Sequence, residues 1–527
     1  MTNAFETSLK TTLNDDIAVT ENGATGFATS GKKLLDLNFA VSSLRSATDA
    51  DIEKKFAEAF YENPKVAVKW LFFARDVREG MGERKLFRVC LKWLANARPE
   101  VVKVLIPEIM EYGRADDMFV LSESSLWTDV VKFIDDKISE DRLNIENNKT
   151  ISLLAKWLPS CNTSSSQTRA LATKLRRALN LSEKQYRKLL STLRVKLNVT
   201  EVAVSANKWA EIDYNMVPSK ANLKYKNAFL KHDEARRREW LGKLERGDAD
   251  VKINAATLTA PDIVSKYTTQ LRGYYGDQHL KIDATLEAAW KALPTTFKDD
   301  RPCIAIVDGS GSMGIGVGGG SSMSCHDVAN ALGIYFSERL SGPFKNKFIT
   351  FSSRPQYVDM TNCKTLAEKI GEMYRHNECS NTDIEATMRL VLETAVNNKL
   401  KQEDIPDLLI LSDMHFDQGT SWSCGYSWGT TTSNYNAKKR ALFEGIRKQY
   451  EAAGYKLPRI TFWCICGGRD SVVPVQTNEL GVALVSGFSQ NICKMVMSNK
   501  TDPYDALIET LDSKRYAKID ELIAGLL

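Results

Sequence analysis

Beyond residue 300 the chain carries five short apolar runs: CIAIVD (303–308), FITFS (348–352), DLLILSD (407–413), RITFWCI (459–465) and GVALVSGF (481–488). Each is rich in β-branched or aromatic residues and too short for a stable helix. Longer one-sided stretches lie between them: HDVANALGIYFSERL (326–340), NTDIEATMRLVLETAV (381–396) and NAKKRALFEGIRKQYEAAG (436–454). Strands that are apolar throughout, alternating with helices, predict an α/β domain with a parallel sheet covered on both faces.

The preceding half has a different period. From about Lys32 to Lys243, apolar residues recur at three- and four-residue spacing, as in VAVKWLFFARDV (66–77), RKLFRVCLKWLANA (84–97), TDVVKFIDDKI (128–138) and RALATKLRRALN (169–180). This is the pattern of helices that each bury one stripe. Pro64, Gly80, Gly82, Pro99, Gly113, Pro159 and Pro218 punctuate it. Short helices in series predict stacked helical hairpins of solenoid type. The expected organisation is a polar arm (1–25), an all-α repeat domain (26–298), an α/β domain (299–500) and C-terminal helices (501–527). The polar stretch PTTFKDDRP (294–302) is the expected join.

A length of 527 residues calls for more than one domain, and 43% hydrophobic with 26% charged residues excludes a disordered or fibrous chain. No apolar run is long enough to span a bilayer, and the opening MTNAFETSLKTTLNDD lacks the pattern of a secretory leader. The ten cysteines are scattered without a C-x-x-C pair, which argues against a disulfide scaffold or a zinc ribbon. Reduced thiols and a cytoplasmic location without membrane partners are therefore expected.

The sequence Ile306-Val307-Asp308-Gly309-Ser310-Gly311-Ser312-Met313 ends a buried strand and turns before a helix near His326. Binding sites of open α/β sheets lie beyond the carboxyl ends of the strands. One carboxylate and two hydroxyls at alternate positions there suit a hard divalent cation. Asn381-Thr382-Asp383 opens a later helix, and the strand Leu408 to Asp413 ends in Ser412-Asp413. Asp308, Ser310, Ser312, Thr382 and Asp413 together resemble the metal-ion-dependent adhesion site (MIDAS) of von Willebrand factor A domains. That resemblance implies Mg²⁺, or Mn²⁺ or Ca²⁺ in its place, with an open position for an acidic group of a protein partner. The alternative is a loop in which these side chains only satisfy backbone groups.

The run Gly314-Ile315-Gly316-Val317-Gly318-Gly319 has the G-x-G-x-x-G spacing, but it begins six residues past Asp308 and no acid ends the next strand. A dinucleotide site is therefore not expected, and the stretch reads as a flexible insertion. Neither G-K-[ST] nor G-x-S-x-G accompanies it, which removes the phosphate-loop and serine-hydrolase readings. In a second glycine-rich insertion, Trp422, Tyr426 and Trp428 could stack bases, meet a protein partner or fold back on their own domain. His415, two residues past Asp413, is a further candidate near the ion, with a structural role as its alternative.

Between Gln167 and Lys226 there are thirteen Lys/Arg against four Asp/Glu, although the whole chain carries only +5. Arg176, Arg177, Arg187, Lys188, Arg194 and Lys196 fall on successive helical turns and are candidates for binding RNA phosphates. A solvated helix face is the alternative. Arg236-Arg237-Arg238 is flanked by Asp233, Glu234 and Glu239 and reads as balanced surface. ARDVREGMGER (74–84) places charges of both signs around the Gly80-Met81-Gly82 break, as an ion-pair network setting an inter-helix angle would.

ARDVREGMGER, YGRADDM (112–118), AKWLPS (155–160), the VDGSGSM turn, LSDMHFD (411–417) and GVALVSGFS (481–489) resemble a large uncharacterised family, domain-of-unknown-function 2828. The architecture is in turn similar to that of the Ro autoantigen (TROVE) proteins, which pair a ring of HEAT-like helical repeats with a von Willebrand A domain. This implies a non-catalytic RNA-binding protein with a divalent-metal site, taking small structured or single-stranded RNA. A metal-dependent protein-interaction or assembly scaffold without RNA is the competing expectation. A metal-dependent hydrolase ranks last, because no positioned base or second metal accompanies the site.

Overall fold

The computed structural model describes residues 17–19, 25–269, 271, 280–295, 302–352, 354–376, 383–414, 442–466, 482–492 and 502–527. A short antiparallel pair, β1 (Ile17–Val19) and β2 (Thr25–Phe27), lies within and just past the stretch read as a polar arm. The remaining strands form one six-stranded sheet: β3 (Cys303–Asp308), β4 (Lys347–Phe351), β5 (Tyr357–Asp359), β6 (Asp407–Ser412), β7 (Ile460–Cys464) and β8 (Val482–Ser486). Their spatial order is β5-β4-β3-β6-β7-β8. Every apolar run singled out in the sequence is one of these strands. The sheet is mixed rather than wholly parallel, because β5 pairs antiparallel with β4 at the edge. With three residues, two of them exposed, β5 had too little apolar pattern to be read as a strand.

The chain divides into two compact units. The first comprises Met1–Asn63, Thr259–Asp283 and Thr295–Thr510, and holds the sheet. The second comprises Pro64–Leu258, Ala284–Pro294 and Leu511–Leu527, and is helical. The helices Lys33–Phe39 and Asp49–Glu62 therefore group with the sheet, although their period assigns them to the repeats in sequence order. A one-sided helix buries its stripe equally well against a sheet or another helix, and periodicity does not reveal which.

In the first unit, the helix Cys325–Arg339 lies directly on β3. A Cβ on Gly333 would come within 2.7 Å of Val307 Cγ2, so glycine is what permits this approach. Ser324 and Asp327 form a capping box that starts this helix. Trp463, fully buried on β7, donates its indole N–H to Gly487 O at 2.7 Å and meets Phe336 edge-on.

In the second unit, Pro64–Arg75 packs against Arg84–Ala97, Ser166–Ala178 against Glu183–Lys196, and Ser219–His232 against Glu234–Arg246. Local chemistry sets the ends of these helices. Ser165 and Ser182 cap helix starts through their hydroxyls. Asn148, Asn180, Asn198 and Asn207 stand just past four helix ends with φ between 49° and 58°. This is the left-handed conformation that stops a helix, and asparagine tolerates it.

The ARDVREGMGER segment is the tight connection between two of these helices. Gly80 sits so close to Phe73 O that a Cβ would lie 2.1 Å from it, and Gly82 has φ +74°. Around the turn, Arg75 Nε donates to Asp117 Oδ2 at 2.7 Å and Arg88 Nε to Asp117 Oδ1 at 2.7 Å. Asp76, wholly buried, accepts from Arg515 Nε at 2.8 Å and from Tyr516 Oη at 3.3 Å. The Arg515 guanidinium covers the Tyr112 ring, and Tyr112 stacks on Tyr516. The charges thus fix helix geometry, as their arrangement in the sequence suggested.

The Arg236–Arg238 cluster is only partly surface. Arg236 and Arg238 are exposed and pair with Asp233 and Glu234. Arg237 is 0% exposed, set among the rings of Tyr214, Phe229 and Trp240 and donating to Asn222 Oδ1 and Thr285 Oγ1. It lies one helical turn before Trp240 and Leu241, on the apolar stripe rather than the polar face.

A candidate metal centre at the carboxyl edge of the sheet

From β3 the chain runs first to β4 on one side and later returns to β6 on the other. The carboxyl ends of β3 and β6 therefore flank the topological switch point, where open α/β sheets leave a crevice. Register places Val307 beside Leu411, so Asp308 and the Ser412-Asp413 pair leave the sheet as neighbours.

Asp308 is 0% exposed and Asp413 1%. Asp308 Oδ1 accepts the Ser310 N–H at 2.9 Å, and Oδ2 accepts the Ser412 hydroxyl at 2.5 Å. Ser412 Oγ in turn accepts the Met414 N–H at 3.0 Å. Ser310 is buried, and its hydroxyl lies 3.0 Å from that of Ser312, which opens to solvent through the one-turn segment Gly311–Gly314. Four members of the expected donor set are thus placed on adjoining segments. Thr382 lies outside the described residues; its neighbour Asp383 caps the helix Ile384–Asn397 by accepting from Ala386 N at 2.8 Å.

Electrostatics sharpen this geometry. Burial, followed by the charge of Asp413, pushes the Asp308 carboxyl up to about 7, against hydrogen bonds from Ser412 and Ser310 that favour its ionised form. Two dry carboxylates side by side cost several kcal/mol unless a cation or proton offsets them. A divalent cation fits such a donor set, held by Asp308, Asp413 and the Ser310 and Ser312 hydroxyls, where it would supply positive charge to an incoming acidic group. Among the described residues no group of three or more His, Cys, Asp or Glu is placed to hold a metal; this set relies on two carboxylates and on hydroxyls.

The site has features that the sequence reading did not single out. Met414 adopts φ +64°, which is uncommon for a residue with a side chain, directly after Asp413. Ser412, next to a named ligand candidate, orients Asp308. His326 rests against the Gly309 and Ser310 backbone, and burial pushes its imidazole down. The Gly/Ser stretch read as a flexible insertion is an ordered turn: Val317 N donates to Met323 O at 3.0 Å, Gly316 bridges Ser324, and Gly318, Gly319 and Gly320 all have positive φ. A Cβ on Gly318 would strike the Ser46 hydroxyl at 2.1 Å. His415, Trp422, Tyr426 and Trp428 lie outside the described residues.

In the helical unit, the six basic candidates separate into two kinds. Arg177, Arg187, Lys188 and Lys196 are exposed. Arg194 spends its guanidinium on Ala155 O, Ser160 Oγ and Leu158 O, at 2.8–2.9 Å, and so braces the 155–160 connection. Arg176 is half-buried and turns toward Leu181 O at 3.4 Å. An open cavity of about 650 Å³ beside Arg177 is also lined by Arg169, Lys174, Glu183 and Cys161.

Residues 20–112 and 122–300 match the family model described as Domain of unknown function (DUF2828). Residues 302–520 match a second model, Domain of unknown function (DUF7788). The motifs quoted from the sheet region thus fall under their own family description, and the division coincides with the change of hydrophobic period near residue 300. A relative, "Uncharacterized protein L728" of Acanthamoeba polyphaga mimivirus, is 28% identical over 537 residues, spanning 94% of this chain and 87% of that protein.

Proposed function

Since the chain belongs to the domain-of-unknown-function DUF2828 family, we propose that it is a non-catalytic, Ro-like RNA-binding protein whose sheet unit is a von Willebrand A-type domain carrying Mg²⁺ or a related divalent ion. The reading is carried by the buried Asp308–Asp413 pair at the switch point, with the Ser310 and Ser312 hydroxyls beside it. The RNA part is supported by the likeness to Ro architecture and by the exposed cations Arg177, Arg187, Lys188 and Lys196. Phosphate contacts of this kind give sequence-tolerant affinity that declines steeply with salt. Among the described residues no helix is long and apolar enough to cross a membrane. RNA encountered in the cytoplasm is the partner proposed.

The test is the binding of a labelled single-stranded RNA by the full chain, read by fluorescence anisotropy over a salt series. A triple R177E/R187E/K188E variant is expected to bind roughly tenfold or more weakly, with a salt slope smaller by about 2. The Arg194 bracing contact is left intact in this variant, so the fold is retained. Equal affinity and slope in the two proteins would sink the RNA reading.

A second reading, a metal-dependent protein scaffold, is favoured by one observation. Ile315, 50% exposed, follows the Ser312 turn directly and offers an apolar contact next to the ion. Under this reading EDTA releases a protein partner bound through its Asp or Glu, and Ile315→Asp weakens the same complex. Capture that persists unchanged in EDTA rules it out.

A further inference from the structure

One wall of the open cavity in the helical unit is a single helix face. Arg169, Thr173 and Arg177 stand at i, i+4 and i+8 along the helix Ser166–Ala178, with Lys174 next to Thr173. Cys161 and Glu183 also line the hollow. Two of the three cations are anchored by the surrounding chain. Arg169 Nη1 donates to Thr163 O at 2.7 Å and to Ser164 O at 2.8 Å, which leaves its Nε and Nη2 uncommitted. Lys174 Nζ donates to Ser122 O and Glu123 Oε1, both at 2.7 Å, and so shares its charge with a carboxylate that does not line the cavity. The Arg177 guanidinium and the Thr173 hydroxyl make no hydrogen bond or ion pair among the described residues. Packing does not account for Arg177 either, because it is exposed.

We propose that this cavity takes the 5′-phosphate end of an RNA strand, a refinement that rests on the RNA reading above. Guanidinium forks match phosphate oxygens in geometry as well as in charge. A terminal phosphate monoester carries nearly two negative charges at neutral pH, whereas an internal diester carries one. Cations gathered around one hollow therefore favour the end of a strand over its middle. The rest of the lining narrows the ligand further. Glu183 repels a bare inorganic phosphate but accepts a hydrogen bond from a sugar hydroxyl, a group that RNA offers at its 2′ position. A volume of about 650 Å³ is in the range that holds a whole nucleotide. The open side lets the strand continue past Arg187, one helical turn beyond Glu183.

The test compares two labelled oligoribonucleotides of one sequence, one ending in a 5′-phosphate and the other in a 5′-hydroxyl, by fluorescence anisotropy with the full chain. The wild type is expected to bind the phosphorylated strand roughly tenfold more tightly. Arg177→Gln, at an exposed position that the fold does not use, should bring the two strands to near-equal affinity. Cys161 supplies a second readout inside the cavity. Burial, followed by the Glu183 charge, pushes its thiol up, so labelling with iodoacetamide is run at mildly alkaline pH and read by peptide mapping. The phosphorylated strand should slow this labelling several-fold. Equal affinity of the wild type for the two strands, a preference that survives Arg177→Gln, or labelling of Cys161 unchanged by the bound phosphorylated strand would each overturn the assignment. Protection by 5′-AMP without protection by the strand would give the cavity to a free nucleotide and overturn it too. Absence of binding by either strand sinks the RNA reading as a whole, whereas equal binding of both sinks only this refinement.

Discussion

Asp308→Asn is expected to stabilise the metal-free protein at neutral pH while abolishing its response to Mg²⁺. In the unfolded chain this carboxyl titrates near its ordinary value of 3.8, whereas in the fold it is raised to about 7. Between these values the folded protein holds a proton that the unfolded chain has released. Stability therefore falls as pH rises through this window and stays reduced above it. At 1.36 kcal/mol per pKa unit the loss is on the order of 4 kcal/mol by pH 7.5. Asparagine keeps an oxygen for the Ser310 N–H and carries no charge, so the variant escapes the loss. A cation held at this site, as proposed, would provide the same relief to the wild type. Thermal unfolding in EDTA and in Mg²⁺ from pH 4 to 8 separates these effects. The wild type should show a falling curve in EDTA that Mg²⁺ flattens, and the variant a flatter curve that Mg²⁺ does not move. A variant less stable than wild type in EDTA at pH 7.5, or one still stabilised by Mg²⁺, contradicts the metal assignment.

The opposite sign is expected for Asp117→Ala in the helical unit. Asp117 is 0% exposed and accepts from Arg75 and Arg88, and Arg75 is itself buried. Removing the carboxylate strands a guanidinium without solvent or counter-charge, at a cost of about 3–5 kcal/mol. The variant also loses the acceptor of the Arg114 N–H that starts the segment Ala115–Leu121. Urea unfolding should show a clearly lower midpoint. Arg75→Met together with Asp117→Leu should recover much of the loss, because neither charge then remains buried. A single variant within 1 kcal/mol of wild type would show that this network is not what holds the turn.

The strands β3, β4, β6, β7 and β8 could be read from sequence because each packs nearly all its side chains, leaving a continuous apolar run. The placement of Asp308, Ser310, Ser312 and Asp413 at or just past strand ends was legible for a related reason, since chain order sets them at the ends of such runs. The helix Leu366–Arg375 was passed over although Thr365 and Glu368 spell a capping box at its start. The asparagines at 148, 180, 198 and 207 were likewise available as stop signals. Other features had no local signal. Burial of Arg237 depends on three rings brought together by tertiary packing. The loss of Arg194 as a free cation depends on carbonyls of the 155–160 connection. Periodicity identifies which face of an element is dry, but not which partner covers it.

Asp76 and its partner Arg515 stand 439 positions apart, yet they complete the same helical unit. During synthesis, at about 5–20 residues per second, the ribosome takes on the order of half a minute between them. Throughout that interval the nascent repeats lack the Arg515 guanidinium that pairs with Asp76 and lies over Tyr112, and the Tyr516 ring that packs on Tyr112 and Phe73. Folding of the repeats is thus bound to finish after translation of this region rather than during it, and a nonsense codon upstream of Arg515 should yield a chaperone client instead of a shortened working protein.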